Sequence, residues 1–179
     1  MISLKSNNKI LRALNFSSFQ HRNQKRKDKN RTPYINHCIN VAFLISEIGK
    51  INDPDILCAA ILHDTIEDTD TIYEEIAKEF GHSVASMVLA VSDDKNIEKN
   101  ERKLLQIEKA KNMNHKEATI VIADKISNIR DILFNPPNGW DKDRKEAYIA
   151  WSKRVVGSLP IVNENLLNLF NEIVDDIII

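Results

Sequence analysis

What most constrains this chain is the spacing of its apolar residues, which recur every three or four positions through one segment after another. Only four glycines and five prolines occur among 179 residues, too few to turn the many strands of a β sandwich or barrel. Ile10, Leu11, Leu14, Phe16 and Phe19 fall close to one stripe, which predicts a first helix from about Ile10 to Gln20. From Asn36 to Ile48 the residues Ile39, Val41, Ala42, Leu44, Ile45 and Ile48 form an apolar face, with Gly49 as the stop. Asp53-Pro54 is a start signal, Asp as N-cap and Pro at the first helical position, and the helix it opens runs into His63-Asp64. Thr71 and Glu74 stand at capping-box spacing before a helix that Gly81 ends. Ser83 to Val91, Glu98 to Asn112 and His115 to Leu133 read as three more helices. Pro136-Pro137 forces a break before two last helices, Asp141 to Leu159 and Asn163 to Ile178. No stretch of period-two alternation competes. The expectation is one all-α domain over residues 1–179, a helical bundle of about ten helices without repeats.

Charge and cysteine content narrow the function classes. A formal net charge of −1 gives no global reason to expect a nucleic-acid or membrane partner. Cys38 and Cys58 both lie in apolar helical contexts and read as buried thiols rather than a disulfide framework. Neither a signal-type apolar core nor a run of membrane-spanning length is present, so the expected compartment is a reducing cytoplasm.

The chemistry concentrates in His63-Asp64-Thr65-Ile66-Glu67-Asp68-Thr69, which follows the apolar run Ile56 to Leu62. An adjacent His-Asp pair at the end of a buried helix offers two ligands to a divalent metal, and the two acids after it could handle a proton. His63 and Glu67 are four apart, so a helical continuation would stack them on one face. Two further donors stand on other helices: His37, and Asp124 within Ile120-Val121-Ile122-Ala123-Asp124-Lys125-Ile126. A carboxylate among apolar residues costs several kcal/mol to strip of water unless a cation or hydrogen bonds compensate. Imidazole plus carboxylate suits Mn²⁺, Fe²⁺ or Zn²⁺ and leaves room for water. Each signal has a bland counterpart. His37 alone fits a satisfied core histidine, Asp124 a salt bridge with Lys125 or Arg130, and Glu67-Asp68 an acidic stretch capping the helix from Thr71. His21, His82 and His115 read as surface or capping residues, and Trp140 and Trp151 as packing.

The order of these residues carries a resemblance. Thr32-Pro33-Tyr34-Ile35-Asn36-His37, then His63 to Thr69, then Ala123-Asp124-Lys125-Ile126-Ser127-Asn128 resembles the HD-domain phosphohydrolases. More narrowly it is similar to the hydrolase domain of the RelA/SpoT alarmone enzymes, above all the stand-alone small alarmone hydrolases of the metazoan SpoT-homologue type. The similarity runs from about residue 13 to 170 and includes Lys25-Arg26-Lys27-Asp28, Asp93-Asp94-Lys95, Glu101-Arg102-Lys103 and Asn138-Gly139-Trp140. Cys38 stands where proline is common in relatives. The long bifunctional members carry a synthetase domain for which 179 residues leave no room.

The resemblance implies the HD-type helical fold and a Mn²⁺ held by His37, His63, Asp64 and Asp124. It implies hydrolysis of guanosine 3′,5′-bis(diphosphate) or its pentaphosphate to pyrophosphate and GDP or GTP, with Glu67 and Asp68 positioning and deprotonating the water. It also places Arg26 on the base, Lys27 on the nucleotide, and Asn128 and Tyr148 at the nucleoside. The basic run Arg22 to Arg31, six Lys or Arg against one Asp, precedes His37 and would border the metal; by itself it is also what a solvated charge run looks like. Lys99, Arg102 and Arg144 are further candidates for phosphate, and Arg144 and Tyr148, four apart, would share a helix face. Alternatives stay open: another phosphorylated nucleotide such as NADPH at its 2′-phosphate, a non-catalytic nucleotide sensor, or an RNA-binding module. The intact Glu67-Asp68 pair argues against the sensor, and modest charge without interleaved aromatics against RNA. The tail Ile173 to Ile179 would close as an amphipathic turn or lie partly against a second subunit.

Overall fold

The structure, a computed structural model, describes residues 4–175. Ten α-helical segments follow one another: α1 Leu4–Gln20, α2 Ile35–Phe43, α3 Pro54–Leu62, α4 Thr65–Asp68, α5 Tyr73–Phe80, α6 His82–Val91, α7 Lys99–Ala110, α8 His115–Phe134, α9 Lys142–Gly157 and α10 Glu164–Asp175. Among the described residues there is no strand, only the isolated bridges Lys25–Pro33 and Asp28–Pro137. The all-α expectation holds. Residues 176–179 of the tail lie outside the described residues, while Val174 within α10 is buried and Ile173 packs against the core.

The helix α3 is apolar all round because it is the core. Every residue from Ile56 to Leu62 is buried, with α1, α2, α6 and α8 packed around it. Its start is the one the sequence predicts: Asp53 caps it by accepting from the Asp55 amide at 2.9 Å, and Pro54 follows. The long α8 supplies the second central layer, burying eleven of its residues against α2, α6, α9 and α10.

Two local expectations are corrected. The N-cap of α5 is Ile72, whose amide donates to Glu75 at 3.1 Å, one position later than Thr71 with Glu74; the Thr71 hydroxyl pairs with Thr69 instead. The second helix does not run uniformly to Ile48. It widens into a π turn over Leu44–Ile48, closed by the Gly49 amide donating to the Leu44 carbonyl at 2.9 Å. Gly49 ends it with an ordinary φ of −67°. Glycine is required there by close approach, since a Cβ would meet the Ile45 carbonyl oxygen at 2.7 Å and a Leu166 methyl of α10 at 3.3 Å.

Candidate active site

Three helices bring four donor side chains to one point. His37 lies in the first turn of α2, His63 and Asp64 just beyond the end of α3, and Asp124 midway along α8. The chain breaks helical continuity at Asp64, then makes the single turn α4 with the Asp68 amide donating to the Asp64 carbonyl at 2.8 Å. His63 Nδ1 donates to the Ala60 carbonyl at 2.7 Å, which turns Nε2 toward the cluster. His37 Nδ1 pairs with Ser127 Oγ at 3.0 Å, and Asn40 donates to the same oxygen at 2.9 Å. The two imidazole Nε2 atoms then face two carboxylate oxygens. His37 lies 3.1 Å from Asp124 Oδ1 and 3.7 Å from Asp64 Oδ2; His63 lies 3.7 Å and 3.1 Å from the same pair.

Each carboxylate is oriented by neighbours, of which sequence reasoning named only Lys125 for Asp124. Tyr34 donates to Asp64 Oδ2 at 2.7 Å, Asn128 donates to Asp124 Oδ1 at 2.6 Å, and the buried Lys125 ammonium sits 3.1 Å from Asp124 Oδ2. The Lys125 salt bridge weighed against a ligand role is therefore present; it occupies the oxygen that faces away from the histidines. Burial raises both carboxyl groups, but His63 and then His37 hold Asp64 below its ordinary range. Lys125, followed by the two imidazoles, holds Asp124 well below it. Burial lowers both imidazoles, and for His63 the Asp64 and Asp124 charges overcome it and raise the ring well above its usual value.

This donor set fits a divalent cation. His63 Nε2 is buried without a hydrogen-bond partner, since its carboxylate neighbours are close but off the N–H direction. Two imidazoles and two ionised carboxylates of hard-to-borderline character are what such an ion takes. Cys38 Sγ also lies within reach of His63 and Asp64, but burial pushes its thiol up to about 12, and a neutral thiol is a poor ligand.

Beside the cluster opens a cavity of about 460 Å³. Arg26, Lys27, Lys99, Arg102, Asn128, Arg144 and Tyr148 all line it, together with Glu67 and Asp68. A smaller cleft of about 50 Å³ is walled by His63, Asp64, Asp124 and Lys125, and Glu67 and Gln106 belong to both walls. His37 opens on neither; it borders a third hollow beside Arg26 and Asp131. The basic run becomes a loop that presents Arg26 and Lys27. Asp28 ties the loop off by accepting from the Thr32 amide and hydroxyl at 2.9 and 2.7 Å, and the Asn138 amide docks on the Lys27 carbonyl at 2.7 Å.

The two acids differ in their engagement. Glu67 accepts from the Asp93 amide at 3.0 Å and lies 3.7 Å from Arg102, and burial pushes its carboxyl up to about 7. Asp68 is ion-paired with Lys95. A half-buried carboxylate pushed up toward neutrality, between the His/Asp cleft and a cationic cavity, is equipped to move a proton there.

An HD-domain model matches residues 13–148. The chain belongs to the HD-domain family. It is 44% identical over 165 residues to the guanosine-3′,5′-bis(diphosphate) 3′-pyrophosphohydrolase MESH1 of Drosophila melanogaster, covering 92% of each chain. It is 42% identical to the enzyme of the same name from Homo sapiens, covering 88% of each. A solved structure described as a metazoan orthologue of SpoT that hydrolyses ppGpp superposes with a TM-score of 0.89 at 44% identity, over 92% of this chain and 93% of that one.

Within this HD fold several functional-site neighbours escaped the sequence. Trp140 and Trp151, read as packing, line the cavity, although the Trp151 indole also donates to the Lys103 carbonyl at 3.0 Å. Arg144 stacks over Trp140 at 4.5 Å instead of pairing with Tyr148, while Lys125 lies 4.5 Å over Trp151. His21 is a correction: it is buried, stacked on Tyr34 at 5.0 Å, with Nδ1 2.6 Å from Gln24.

Proposed function

We propose that this HD-domain protein is a metal-dependent 3′-pyrophosphohydrolase of guanosine 3′,5′-bis(diphosphate) and its pentaphosphate. The observation that carries the reading is Glu67, shared by the wall of the His/Asp cleft and the wall of the cation-lined cavity. The relatives that match nearly the whole chain bear that activity in their names. His37, His63, Asp64 and Asp124 would hold Mn²⁺, a Lewis acid that lowers the pKa of bound water and polarises a phosphoryl oxygen. Glu67 accepts the proton of the attacking water, and Asp68 orients that water. Attack at the phosphorus joined to the ribose 3′ oxygen breaks that P–O bond, releases pyrophosphate, and leaves the 3′ oxygen to take a proton. Arg26 stacks on the base, Asn128 and Tyr148 hold the nucleoside, and Lys27, Lys99, Arg102 and Arg144 meet phosphate charge that a cleft screens poorly. We further propose that residues 1–179 form one domain acting in the cytoplasm, free of nucleic acid; no described helix is long and apolar enough to cross a membrane.

Purified protein incubated with guanosine tetraphosphate or NADPH, each with Mn²⁺ or EDTA, tests this directly. Metal-dependent release of pyrophosphate from the first alone is expected. Phosphate released from NADPH alone would move the site to another nucleotide, and turnover of neither would sink the enzyme reading.

A further inference from the structure

The Arg26 guanidinium is held on one edge by a residue so far without a role. Its Nε and Nη2 both donate to a single oxygen of Asp131, at 2.9 and 2.7 Å, and Nη2 also donates to Asn128 Oδ1 at 2.7 Å. One guanidinium face lies over the Tyr34 ring, 5.5 Å from its centroid. Three of the five N–H groups are thereby engaged, and the Nη1 edge and the face away from Tyr34 remain for a ligand in the cavity. Asp131 stands two helical turns after Asp124 on α8 and a little under one turn after Asn128, so the three share one side of that helix.

Asn128 is equally constrained. Its oxygen accepts from Arg26 while its nitrogen donates to Asp124 Oδ1 at 2.6 Å, which fixes the amide and leaves one N–H and one lone pair for a nucleoside. An arginine side chain left free would sample many rotamers and lose that freedom on binding a planar base. Clamped on Asp131, it meets the base already oriented.

We propose that Asp131, whose carboxylate also borders the cavity, is a positioning residue that presets Arg26 for base stacking, and so sets nucleotide affinity through Arg26 rather than at the reacting atoms. The inference rests on the nucleotide-hydrolase reading above. Asp131 acts only through Arg26, so it governs KM rather than kcat, and its effect vanishes once Arg26 is gone.

The test uses the full chain loaded with Mn²⁺, comparing D131A, D131N, D131E, R26A and R26A/D131A. KM and kcat are read with guanosine tetraphosphate, Kd with GDP, and Mn²⁺ affinity by calorimetry. D131A is expected to raise KM and the GDP Kd about tenfold, as for a lost preorganised charged contact, with kcat within about twofold and Mn²⁺ affinity unchanged. D131N should lose less because its amide oxygen still accepts, and D131E should recover most of the affinity even if D131A folds poorly. In the R26A background D131A should add nothing. Unchanged KM in D131A, or a full additive loss in R26A/D131A, overturns the proposal. If wild type binds GDP yet turns over no nucleotide, the hydrolase reading falls while the GDP affinities still decide the role of Asp131; no GDP binding by wild type overturns both.

Discussion

Lys125→Met separates the charge environment of the metal site from its ligands. The Lys125 ammonium is buried, 3.1 Å from Asp124 Oδ2, with Trp151 beneath it at 4.5 Å. At an effective dielectric of about 20, opposite unit charges at that separation attract by about 5 kcal/mol, most of it spent on desolvating the pair. Deleting the ammonium leaves the half-buried Asp124 only Asn128 and the imidazoles as partners, which places the cost at the low end of the roughly 3–5 kcal/mol for a broken buried pair. Methionine keeps the stem volume, so the cavity contribution is small. In the metal-free protein we therefore expect a loss near 3 kcal/mol, a fall in Tm of roughly 6–12 °C for a chain of this length. With Mn²⁺ bound, the cation takes over the compensation of Asp124, and the loss should shrink to about 1 kcal/mol. The difference of about 2 kcal/mol returns as metal affinity raised about thirtyfold in the variant, by linkage. Differential scanning fluorimetry of EDTA-treated and Mn²⁺-saturated protein, with a calorimetric Kd, measures all three quantities. Equal destabilisation in the two states would refute the reasoning, because it would mean that Lys125 and the cation do not address the same carboxylate.

Other expectations follow from the same geometry. Asp64→Ala should remove both metal and turnover, whereas Glu67→Gln should keep the metal by elemental analysis and lose turnover about 10²–10⁴-fold, the usual worth of a general base; equal metal loss in both contradicts that division of roles. Asp64 and Asp124 raise the metal-free His63 ring well above its ordinary value, so binding a metal at Nε2 competes with binding a proton there. Its stabilisation of the metal-free protein is complete below about 6.5, the unfolded value, and is lost as pH rises through the higher folded value. Tm without metal should therefore fall with pH while Mn²⁺ affinity rises, and an affinity flat from pH 6 to 8 would exclude this. Burial pushes Glu67 up to about 7, so kcat/KM should rise through the near-neutral range; an acid limb at the ordinary carboxylate range near 4 would remove Glu67 as the base. Cys38→Ala should retain Mn²⁺ in full, because the thiol, pushed up to about 12, is not a ligand.

What the sequence made legible and what it hid have different physical origins. Helix starts and stops at Asp53-Pro54, Gly81 and Pro136-Pro137 are local backbone effects, and they appear where the residues put them. The cap of α5 slipped by one because Glu74 and Glu75 are adjacent and offer two registers, between which the Ile72 amide chooses. The π turn at Leu44–Ile48 and the need for Gly49 come from α10 packing across that turn, a contact more than one hundred residues away in sequence that no local pattern encodes. The same holds for His21, whose burial is set by stacking on Tyr34 across the basic loop.

Donors could be read from order alone, but their orientation could not, and orientation decides whether the cluster binds a cation or merely satisfies itself. Asp124 turns Oδ1 toward the two imidazoles because Lys125 occupies Oδ2 and Asn128 anchors Oδ1 from the next helical turn. Asp64 is set by Tyr34, the residue directly after the Lys25–Pro33 bridge that closes the basic loop. Arg26 then lies over that same Tyr34 and hydrogen-bonds that same Asn128. The groups that orient the two carboxylates are thus the ones that hold the arginine of the cavity. A chain that placed the four ligands correctly but replaced Tyr34 and Asn128 would keep the donors and lose the register between cation and nucleotide.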